Sequence, residues 1–389
     1  MLHKAIIFAT LLISQNLYAD KIDFWDVQRK GANNFNKSPT TEQWFANAKA
    51  QGIEWVRLAW GKRRNFLMGS SGNYQGLVEK DLAEIKQTLR YAAKYGIKIV
   101  LVPISLPGAQ FRQLNGYKND MRLWTDKKYW GMVAAMWQDL AKEFKETQTV
   151  VAYNIFNEPY PEYGTGLAEQ TVLGDAERYY TWDAKYKGTP RDLQAFYRRV
   201  IAAIRKVDTG TPIMLESGWY SQPNAFVHWE PFNDNGVLYQ FHMYEPYAFT
   251  SGGNFREKKN WVYPGKVPFG GGTVYWDREA LQKYFAPFYQ WAAENHIPAN
   301  RIVAGEFGCM RRNKGCREYL GDMLALLNEN KYHWAFYSFQ EDEWDGYDYQ
   351  LGSAGLGWDY WKAVEAGKNP PLPRKDNPLW QVIKQGLDR

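Results

Sequence analysis

The chain has 389 residues, 45% of them hydrophobic, which is enough to bury a large core, and αβ barrels often run past about 250 residues as one domain. Its formal charge of +6 comes from 48 basic residues interspersed with 42 acidic ones, and the absence of a basic tract disfavours nucleic acid as a partner. Aromatic residues make up 17% of the sequence, which favours a cleft that stacks the flat faces of a ligand over aromatics used only in packing.

The N-terminus has the pattern of an export signal. Residues 1–4 include His3 and Lys4 and give a basic start, residues 5–13 form an apolar run, and Ala19 is a small residue at the end of the segment. This pattern predicts a secretory signal peptide over residues 1–19, followed by one domain over residues 20–389. The apolar run is too short to span a bilayer as a helix, and no other segment qualifies; an uncleaved anchor is the alternative. We therefore expect a secreted or periplasmic monomer without membrane contact after removal of the signal.

Strand-like apolar runs alternate with helical patterns along the rest of the chain. The predicted strands span residues 30–35, 54–59, 98–104, 150–156, 212–216, 237–244, 302–306 and 333–339. The predicted helices span residues 41–50, 78–95, 127–144, 191–207, 278–296, 317–328 and 378–387, with Thr40 as a candidate N-cap of the first. Eight strands alternating with helices predict a (β/α)8 TIM barrel with long βα loops. A doubly wound open sheet would need a glycine-rich phosphate turn after an early strand, and the sequence has none.

Two of the segments that follow strands are long: residues 160–189 after the fourth strand and residues 245–276 after the sixth. A barrel builds its active site from the loops at this end of its strands, and loops this long in a compact domain are usually functional. Both segments are rich in tyrosine and tryptophan, a composition that argues against disorder.

Glu158 and Glu306 each follow a run of small and apolar residues, at the point where a buried parallel strand opens into a loop. On strands four and seven of one barrel, both carboxylates would meet at its mouth. Two facing carboxylates are the minimal equipment for cleaving a glycosidic bond, with one protonated to assist the leaving oxygen and the other charged. A lone glutamate at a strand end is more often a surface residue, so the assignment depends on the neighbours of the pair.

Four further residues have the chemistry that such a pair needs. Arg57 puts a cation into an apolar strand and needs an anionic partner; beside Glu306 it would hold that carboxylate ionised. Asn157 could hydrogen-bond a sugar 2-hydroxyl, a contact that strengthens in the transition state. His242 and Tyr244 alternate on strand six and therefore face the same side, where Tyr244 could donate a hydrogen bond to the nucleophile. A buried structural histidine is the alternative interpretation of His242.

Four motifs in chain order resemble those of glycoside hydrolase family 5, the cellulase-like retaining enzymes with a (β/α)8 barrel. The motifs are Arg57, Asn157-Glu158-Pro159, His242-x-Tyr244 and Gly305-Glu306-Phe307-Gly308. The resemblance extends to Gly31-Ala32-Asn33 on strand one and Tyr337-Ser338-Phe339 on strand eight.

The resemblance implies a role for each matched residue. It implies Glu158 as general acid/base and Glu306 as nucleophile. Their closest supports would be Asn157 and Arg57, and the partners of substrate and nucleophile would be His242 and Tyr244.

Two positions depart from the family pattern. Members often carry a histidine at the end of strand three, where this chain has Ile104. Strand eight commonly ends in a tryptophan that stacks the sugar; here the best match is Tyr337, with Trp344 nearby in the loop. Tyr337 and Trp344 are therefore the expected stacking residues.

Cys309 and Cys316 are the only cysteines, and both lie just after Glu306. In an exported protein they could form a disulfide that stiffens a loop beside the site; two free thiols are the alternative, and the spacing is a weak zinc signal. The acidic residues do not cluster with histidine at metal-ligand spacing in the sequence, so we expect no metal and no organic cofactor.

The sequence therefore predicts a retaining, endo-acting O-glycosyl hydrolase. Its substrate would be a polysaccharide or oligosaccharide of β-glucan or β-mannan type, cleaved by double displacement. A transglycosylase that uses the same covalent intermediate is one alternative. A non-catalytic carbohydrate-binding protein on the same scaffold is another, and the presence of both glutamates with Arg57 and Asn157 argues against it.

Overall fold

The computed structural model describes residues 21–59, 64–169, 176–342 and 344–388, and the predicted signal peptide lies outside them. Eight parallel strands form a closed barrel: β1 (Lys30–Asn34), β2 (Trp55–Leu58), β3 (Lys98–Leu101), β4 (Val150–Asn154), β5 (Ile213–Glu216), β6 (Val237–Met243), β9 (Ile302–Phe307) and β10 (His333–Phe336). A separate antiparallel hairpin consists of β7 (Gly265–Phe269) and β8 (Gly272–Trp276). Pairing of β1 with β10 closes the barrel, and the predicted fold is confirmed.

Helices alternate with the strands and pack around the barrel. Those of eight residues or more are α1 (Glu42–Ala50), α2 (Glu79–Lys94), α3 (Lys128–Phe144), α4 (Ala176–Tyr186), α5 (Leu193–Arg205), α6 (Arg278–Glu294), α7 (Cys316–Glu329), α8 (Trp358–Glu365) and α9 (Pro378–Asp388). Their buried faces follow the helical period, as in α2, where Ile85, Leu89 and Ala92 are buried.

The N-cap of α1 differs from the prediction. Thr41 has extended backbone angles, and its side chain accepts a hydrogen bond from the Trp44 backbone N–H, so the helix begins one residue later than expected. The predicted cap, Thr40, is buried and donates its hydroxyl to Asn34 Oδ1 at 2.9 Å instead. Adjacent threonines offer the same local signal, and a tertiary contact with the end of β1 decides between them.

The two long loops contain regular structure that the sequence analysis did not predict. Residues 160–189 include α4, whose Tyr179 and Trp182 are buried in a cluster with Trp219. Residues 245–276 end in the β7–β8 hairpin, which turns through Gly270 and Gly271, both at positive φ. Much of the aromatic content of these loops is therefore buried and is not free to line a cleft: Tyr179 and Trp182 lie in a separate cluster, and Phe249, Tyr263 and Trp276 join the main core.

The interior of the barrel has two chemically different ends. The N-terminal end is apolar and is closed by Trp25, whose Nε1 donates to the Val151 carbonyl at 3.0 Å. On four strands, the inward-facing residue of this apolar layer is followed two positions later by another inward-facing residue, and that second residue is polar. The apolar and polar partners are Trp55 and Arg57, Ala152 and Asn154, Met214 and Glu216, and Leu238 and Gln240. This buried polar layer is the floor of the candidate site.

Candidate active site

A β-bulge directs Glu306 into the barrel. Phe241 pairs with Ala304, but the next residue, His242, pairs with Glu306, so Gly305 is the extra residue on β9. A Cβ at Gly305 would lie 2.3 Å from the side chain of Gln240, so the bulge requires glycine at this position. The glycine of the Gly-Glu-Phe-Gly motif therefore has a packing reason that is separate from catalysis.

The Arg57 guanidinium lies at the centre of the polar layer and is fully buried. Its five N–H groups make five hydrogen bonds, each 2.6–2.9 Å long. The acceptors are Asn154 Oδ1 for Nε, Asn33 Oδ1 and Glu306 Oε1 for Nη1, and Asn157 Oδ1 and Glu216 Oε1 for Nη2. A guanidinium with every donor engaged cannot rotate, so Arg57 presents a fixed charge to the carboxylates around it.

Both oxygens of Glu306 are held by protein donors. Oε1 accepts from Arg57 Nη1 at 2.6 Å, and Oε2 accepts from the Tyr244 hydroxyl at 2.8 Å. The side chain is 5% exposed. These contacts fix the orientation of the carboxylate and place a guanidinium on one of its oxygens and a hydroxyl donor on the other.

Glu158 lies four residues beyond the end of β4, in a left-handed backbone conformation with φ of 55°. Its side chain is one third exposed, towards the cleft, and Oε1 lies 3.1 Å from His242 Nδ1. Burial and the neighbouring Glu306 carboxylate raise the pKa of Glu158 to about 8, although Arg57 opposes the rise. Glu158 is thus the carboxyl that stays protonated near neutral pH, beside a carboxylate that Arg57 and Tyr244 hold.

His242 lies between the carboxylates and is 2% exposed. Its Nδ1 faces Glu158, while Nε2 lies 3.5 Å from Glu216 Oε2 and 3.7 Å from Glu306 Oε1. Burial lowers the pKa of His242, although Glu216 and Glu306 act in the opposite direction. A neutral imidazole in this position can exchange hydrogen bonds with Glu158 without adding a positive charge to the cluster.

Glu216 is a third carboxylate of the site, and the sequence analysis missed its role. It is fully buried at the end of β5 and contacts Arg57, Gln240 and the backbone of Glu158. The signal that identified Glu158 and Glu306 was present here too, because Glu216 ends the apolar run of the predicted fifth strand. What it lacks is a match to a family motif.

Tyr337 and Trp344, the expected stacking residues, lie in different surroundings. Tyr337 contacts Phe35 and Tyr347 edge-on, with ring centroids 5.6 and 5.4 Å apart, and packs on a small apolar cluster that contains Ile104. The two departures from the family pattern therefore belong to one apolar surface at the barrel mouth. Trp344 packs on Tyr347 at 4.9 Å, in the loop after β10. Tyr347 in turn contacts Tyr337, so Trp344 lies one ring further from the cluster.

Cys309 and Cys316 are bonded to each other, with Cα atoms 5.6 Å apart. The loop that they close is hydrogen-bonded to the loop after β6. The Met310 N–H donates to the Thr250 carbonyl at 2.7 Å, and Asn313 Nδ2 donates to the Ser251 carbonyl at 3.0 Å. The disulfide therefore closes a loop within the segment after Glu306, and these hydrogen bonds connect that loop to the segment after Tyr244.

The fold gathers acidic groups around a histidine, contrary to the prediction from sequence spacing. Glu158, His242 and Glu306 each place a potential ligand atom within 4.8 Å of the others. Arg57 already donates to Glu306 Oε1 at 2.6 Å, so a cation bound there would have to lie beside the guanidinium. This donor set suits proton transfer better than it suits a metal ion.

A groove leads away from Glu158 between the loops that follow β3, β4 and β5. Near Glu158 it is lined by Phe111, Arg112, Asn119, Tyr160 and Tyr220, and it continues over Tyr117, Lys118 and Tyr163. Asn119 Nδ2 donates to the Tyr220 hydroxyl at 2.9 Å, and Asn119 Oδ1 is buried without a hydrogen-bond partner among the described residues. The groove thus offers aromatic rings, the groups that stack on the faces of sugars.

A closed (β/α)8 barrel with two carboxyl groups at its mouth is an arrangement typical of glycosidases. A family model described as cellulase, glycosyl hydrolase family 5, matches residues 20–343. The chain therefore belongs to glycosyl hydrolase family 5 and is a retaining β-glycoside hydrolase. No helix among the described residues has the length and apolar character needed to cross a bilayer.

Curated relatives are distant. The chain is 22% identical over 342 residues to Endoglucanase C of Acetivibrio thermocellus, a match that covers 83% of this chain and 84% of that protein. It is 22% identical over 291 residues to a β-xylosidase of Phanerodontia chrysosporium, covering 73% of this chain and 50% of that protein. The chain thus spans about half the length of this β-xylosidase.

Solved structures support the fold. The endoglucanase Cel5A from Thermotoga maritima has a TM-score of 0.63 at 15% identity, covering 95% of this chain and 100% of that chain. A structure described as a glycoside hydrolase has a TM-score of 0.65 at 18% identity, covering 92% of this chain and 99% of that chain.

Proposed function

We propose that this chain is an endo-acting β-glycanase in which Glu306 is the nucleophile and Glu158 the general acid/base. The observation that carries the proposal is the proximity of the two carboxyl groups, since one oxygen of each lies within 4.8 Å of an oxygen of the other. Retaining enzymes need a separation of about 5–5.5 Å, whereas inverting enzymes leave about 6.5–9.5 Å for a water molecule.

In the first step, Glu306 attacks the anomeric carbon while Glu158 gives its proton to the departing glycosidic oxygen, and a glycosyl-enzyme ester forms. Arg57 and Tyr244, which bond the two oxygens of Glu306, hold the carboxylate oriented for this attack. The raised pKa of Glu158, about 8, keeps its proton available at neutral pH.

In the second step, Glu158 is a carboxylate and accepts a proton from water as the water attacks the same anomeric carbon. Glu306 leaves with its electron pair, and the sugar is released with its original configuration. Asn157 Oδ1 is engaged by Arg57 at 2.9 Å, which leaves its amide N–H groups to bind the sugar 2-hydroxyl.

We infer a β-glucan chain as the substrate, cleaved internally. Relatives that carry the printed name endoglucanase support this inference, as does the groove that extends beyond Glu158. This groove lies on the side from which the acid protonates the leaving oxygen and would bind the leaving portion of the glycan. The same groove could bind an acceptor sugar, and this observation keeps a transglycosylase as the second candidate.

The activity is tested with a panel of defined β-glucans, β-mannans and β-xylans, with analysis of products by chain length and anomeric configuration. Products of mixed length with retained configuration are expected from the glucans, and longer products would identify the transglycosylase. Inverted products, or labelling of any residue other than Glu306 by a 2-fluoro glycoside, would contradict the mechanism. Loss of turnover in Glu306→Gln separates catalysis from mere carbohydrate binding.

We further propose that residues 1–19 are removed and that residues 20–389 act as one exported catalytic domain. The basic start and apolar run support export, and the match to the family model begins at residue 20. N-terminal sequencing of the exported protein, with Asp20 as the expected first residue, tests this proposal.

A further inference from the structure

Glu216 is a buried carboxylate that the proposed mechanism does not use. Burying an ionised carboxylate is costly unless partners compensate it, so its presence in the polar layer needs a reason. Oε1 accepts from Arg57 Nη2 at 2.8 Å and from Gln240 Nε2 at 2.6 Å, while Oε2 accepts from the backbone N–H of Glu158 at 2.7 Å. We propose that Glu216 is a positioning residue that holds Glu158 and directs Arg57, a role that rests on the proposed function.

The first effect is on the backbone of Glu158. A residue with a Cβ rarely adopts φ near the observed 55°, because the side chain approaches the following carbonyl. The Glu216 carboxylate binds the N–H of this residue, and a charge-assisted hydrogen bond is stronger than a neutral one. Glu216 thus stabilises the turn that points Glu158 into the cleft.

The second effect is on Arg57. Glu216 binds Nη2 at 2.8 Å while Glu306 binds Nη1 at 2.6 Å, so two carboxylates fix the guanidinium from adjacent corners. They also share its single positive charge. Because part of that charge is neutralised by Glu216, less of it acts on Glu158, and Glu158 can remain protonated.

The third effect is on His242. Nε2 makes no hydrogen bond among the described residues, but carboxylate oxygens of Glu216 and Glu306 lie 3.5 and 3.7 Å from it, and their negative charge favours the proton of the neutral imidazole on Nε2. Nδ1 is then an acceptor, 3.1 Å from Glu158 Oε1, and an acceptor at that distance favours the protonated carboxyl. The first effect orients Glu158 towards the cleft, and the other two favour its protonated form, which is the form that acts as the general acid.

The test compares Glu216→Gln, which keeps the shape and removes the charge, with Glu216→Asp, which keeps the charge on a shorter side chain. In Glu216→Gln the full charge of Arg57 acts on Glu158, so we expect the basic limb of the kcat/KM profile to move to lower pH. On a β-glucan we expect kcat/KM to fall by about 100-fold, the effect of weakened acid assistance. On an aryl glycoside whose leaving group needs no proton, the loss should be about tenfold or less. Glu216→Asp should return the basic limb towards its wild-type position.

The other titratable and charged groups that face Glu158 are unchanged in these variants. They are Glu306, Arg57, His242, Arg112, Glu169, Tyr220, Tyr244 and Tyr247. A matched control is Glu162→Gln. Glu162 is a buried glutamate, as Glu216 is, but it follows β4 and bonds Tyr179 and the Trp219 backbone, away from Arg57 and Glu158. The control should leave the basic limb in place.

Labelling with a 2-fluoro glycoside counts intact sites and corrects each rate for unfolded protein. A basic limb that stays at its wild-type pH in Glu216→Gln, with equal losses on both substrates, would show that Glu216 only stabilises the fold. Wild-type protein that turns over none of the β-glycans would instead overturn the proposed function.

Discussion

Tyr244 donates its hydroxyl to Glu306 Oε2 at 2.8 Å, on the oxygen that Arg57 does not bind. The tyrosine is partly buried, and its pKa is raised by desolvation and by the Glu306 carboxylate, so it remains a donor at every working pH. Its hydrogen bond orients the carboxylate for attack, and a hydrogen bond to a charged group contributes about 1.5–3 kcal/mol.

We therefore expect Tyr244→Phe to lower kcat by about 10- to 100-fold, the rate equivalent of that hydrogen bond. The matched control is Tyr347→Phe, since Tyr347 contacts the Tyr244 ring but donates its hydroxyl to the Thr250 carbonyl. Steady-state kinetics on a β-glucan with both variants checks the prediction. Equal losses in the two variants would mean that packing, not the bond to Glu306, is responsible.

The acid role of Glu158 predicts a specific pH profile. Because its pKa is raised to about 8 by burial and by Glu306, the protonated form is present below that pH and is lost above it. We expect kcat/KM to fall as pH rises through about 8, and Glu158→Gln to lose activity on β-glucan by about 10²- to 10⁴-fold. The variant should keep most of its first-step rate on an activated aryl glycoside, with no basic limb. A basic limb that persists in the variant would assign the acid to another group.

Much of the site could be predicted because it sits at strand ends. The apolar runs before Glu158 and Glu306 identified the strands, and parallel strands in a barrel bring their C-terminal ends to one face. The alternation of residues on β6 predicted that His242 and Tyr244 share a side, and both contact a glutamate of the pair.

What escaped prediction depends on tertiary contacts. The β-bulge at Gly305 brings its backbone so close to the side chain of Gln240 that only glycine fits, and nothing in the sequence around Gly305 shows this contact. Glu216 has the same sequence signal as the other two glutamates, yet its role is visible only from the four groups that meet around it. The hairpin in residues 265–276 pairs locally but was hidden by its weak alternation of apolar residues.

The groove beside Glu158 predicts an effect that depends on the leaving portion of the substrate. We expect Tyr220→Ala to lower kcat/KM on long β-glucan oligosaccharides by about tenfold, because an aromatic stacking surface worth about 0.5–1.5 kcal/mol is lost together with the partner of Asn119. Aryl glycosides with small leaving groups should be nearly unaffected. Tyr180→Ala is the control, since Tyr180 is 46% exposed and donates to the Val227 carbonyl outside the groove. Comparable losses on both substrates would remove the groove from the binding site.

The disulfide predicts a stability effect and a smaller activity effect. Replacing Cys309 and Cys316 together with serine removes a short closed loop and should cost about 2.5 kcal/mol in the chain-entropy model. Activity should fall less than in Tyr244→Phe, because the loop touches the segment after Tyr244 through backbone groups such as that of Met310. Urea unfolding of the double variant, with alkylation of the native protein before and after reduction, checks the prediction. Alkylation of both thiols without reductant would show that they are free.

A buried carboxyl outside the site predicts a pH-dependent loss of stability. Burial raises the pKa of Glu162 to about 7, against an ordinary value of 4.5. The folded state therefore binds a proton that the unfolded state has released, and the stability from this group is complete below about pH 4.5 and is lost as pH rises through about 7. A shift of this size corresponds to about 3 kcal/mol.

His228 and His333, whose pKa values are lowered by burial, act in the opposite direction below about pH 6.5, so the change must be measured as a difference between variants. Urea unfolding at pH 5 and pH 8 should show that Glu162→Gln loses less stability over this range than the wild type. A variant that loses as much as the wild type would mean that Glu162 is ionised in the folded protein at both pH values.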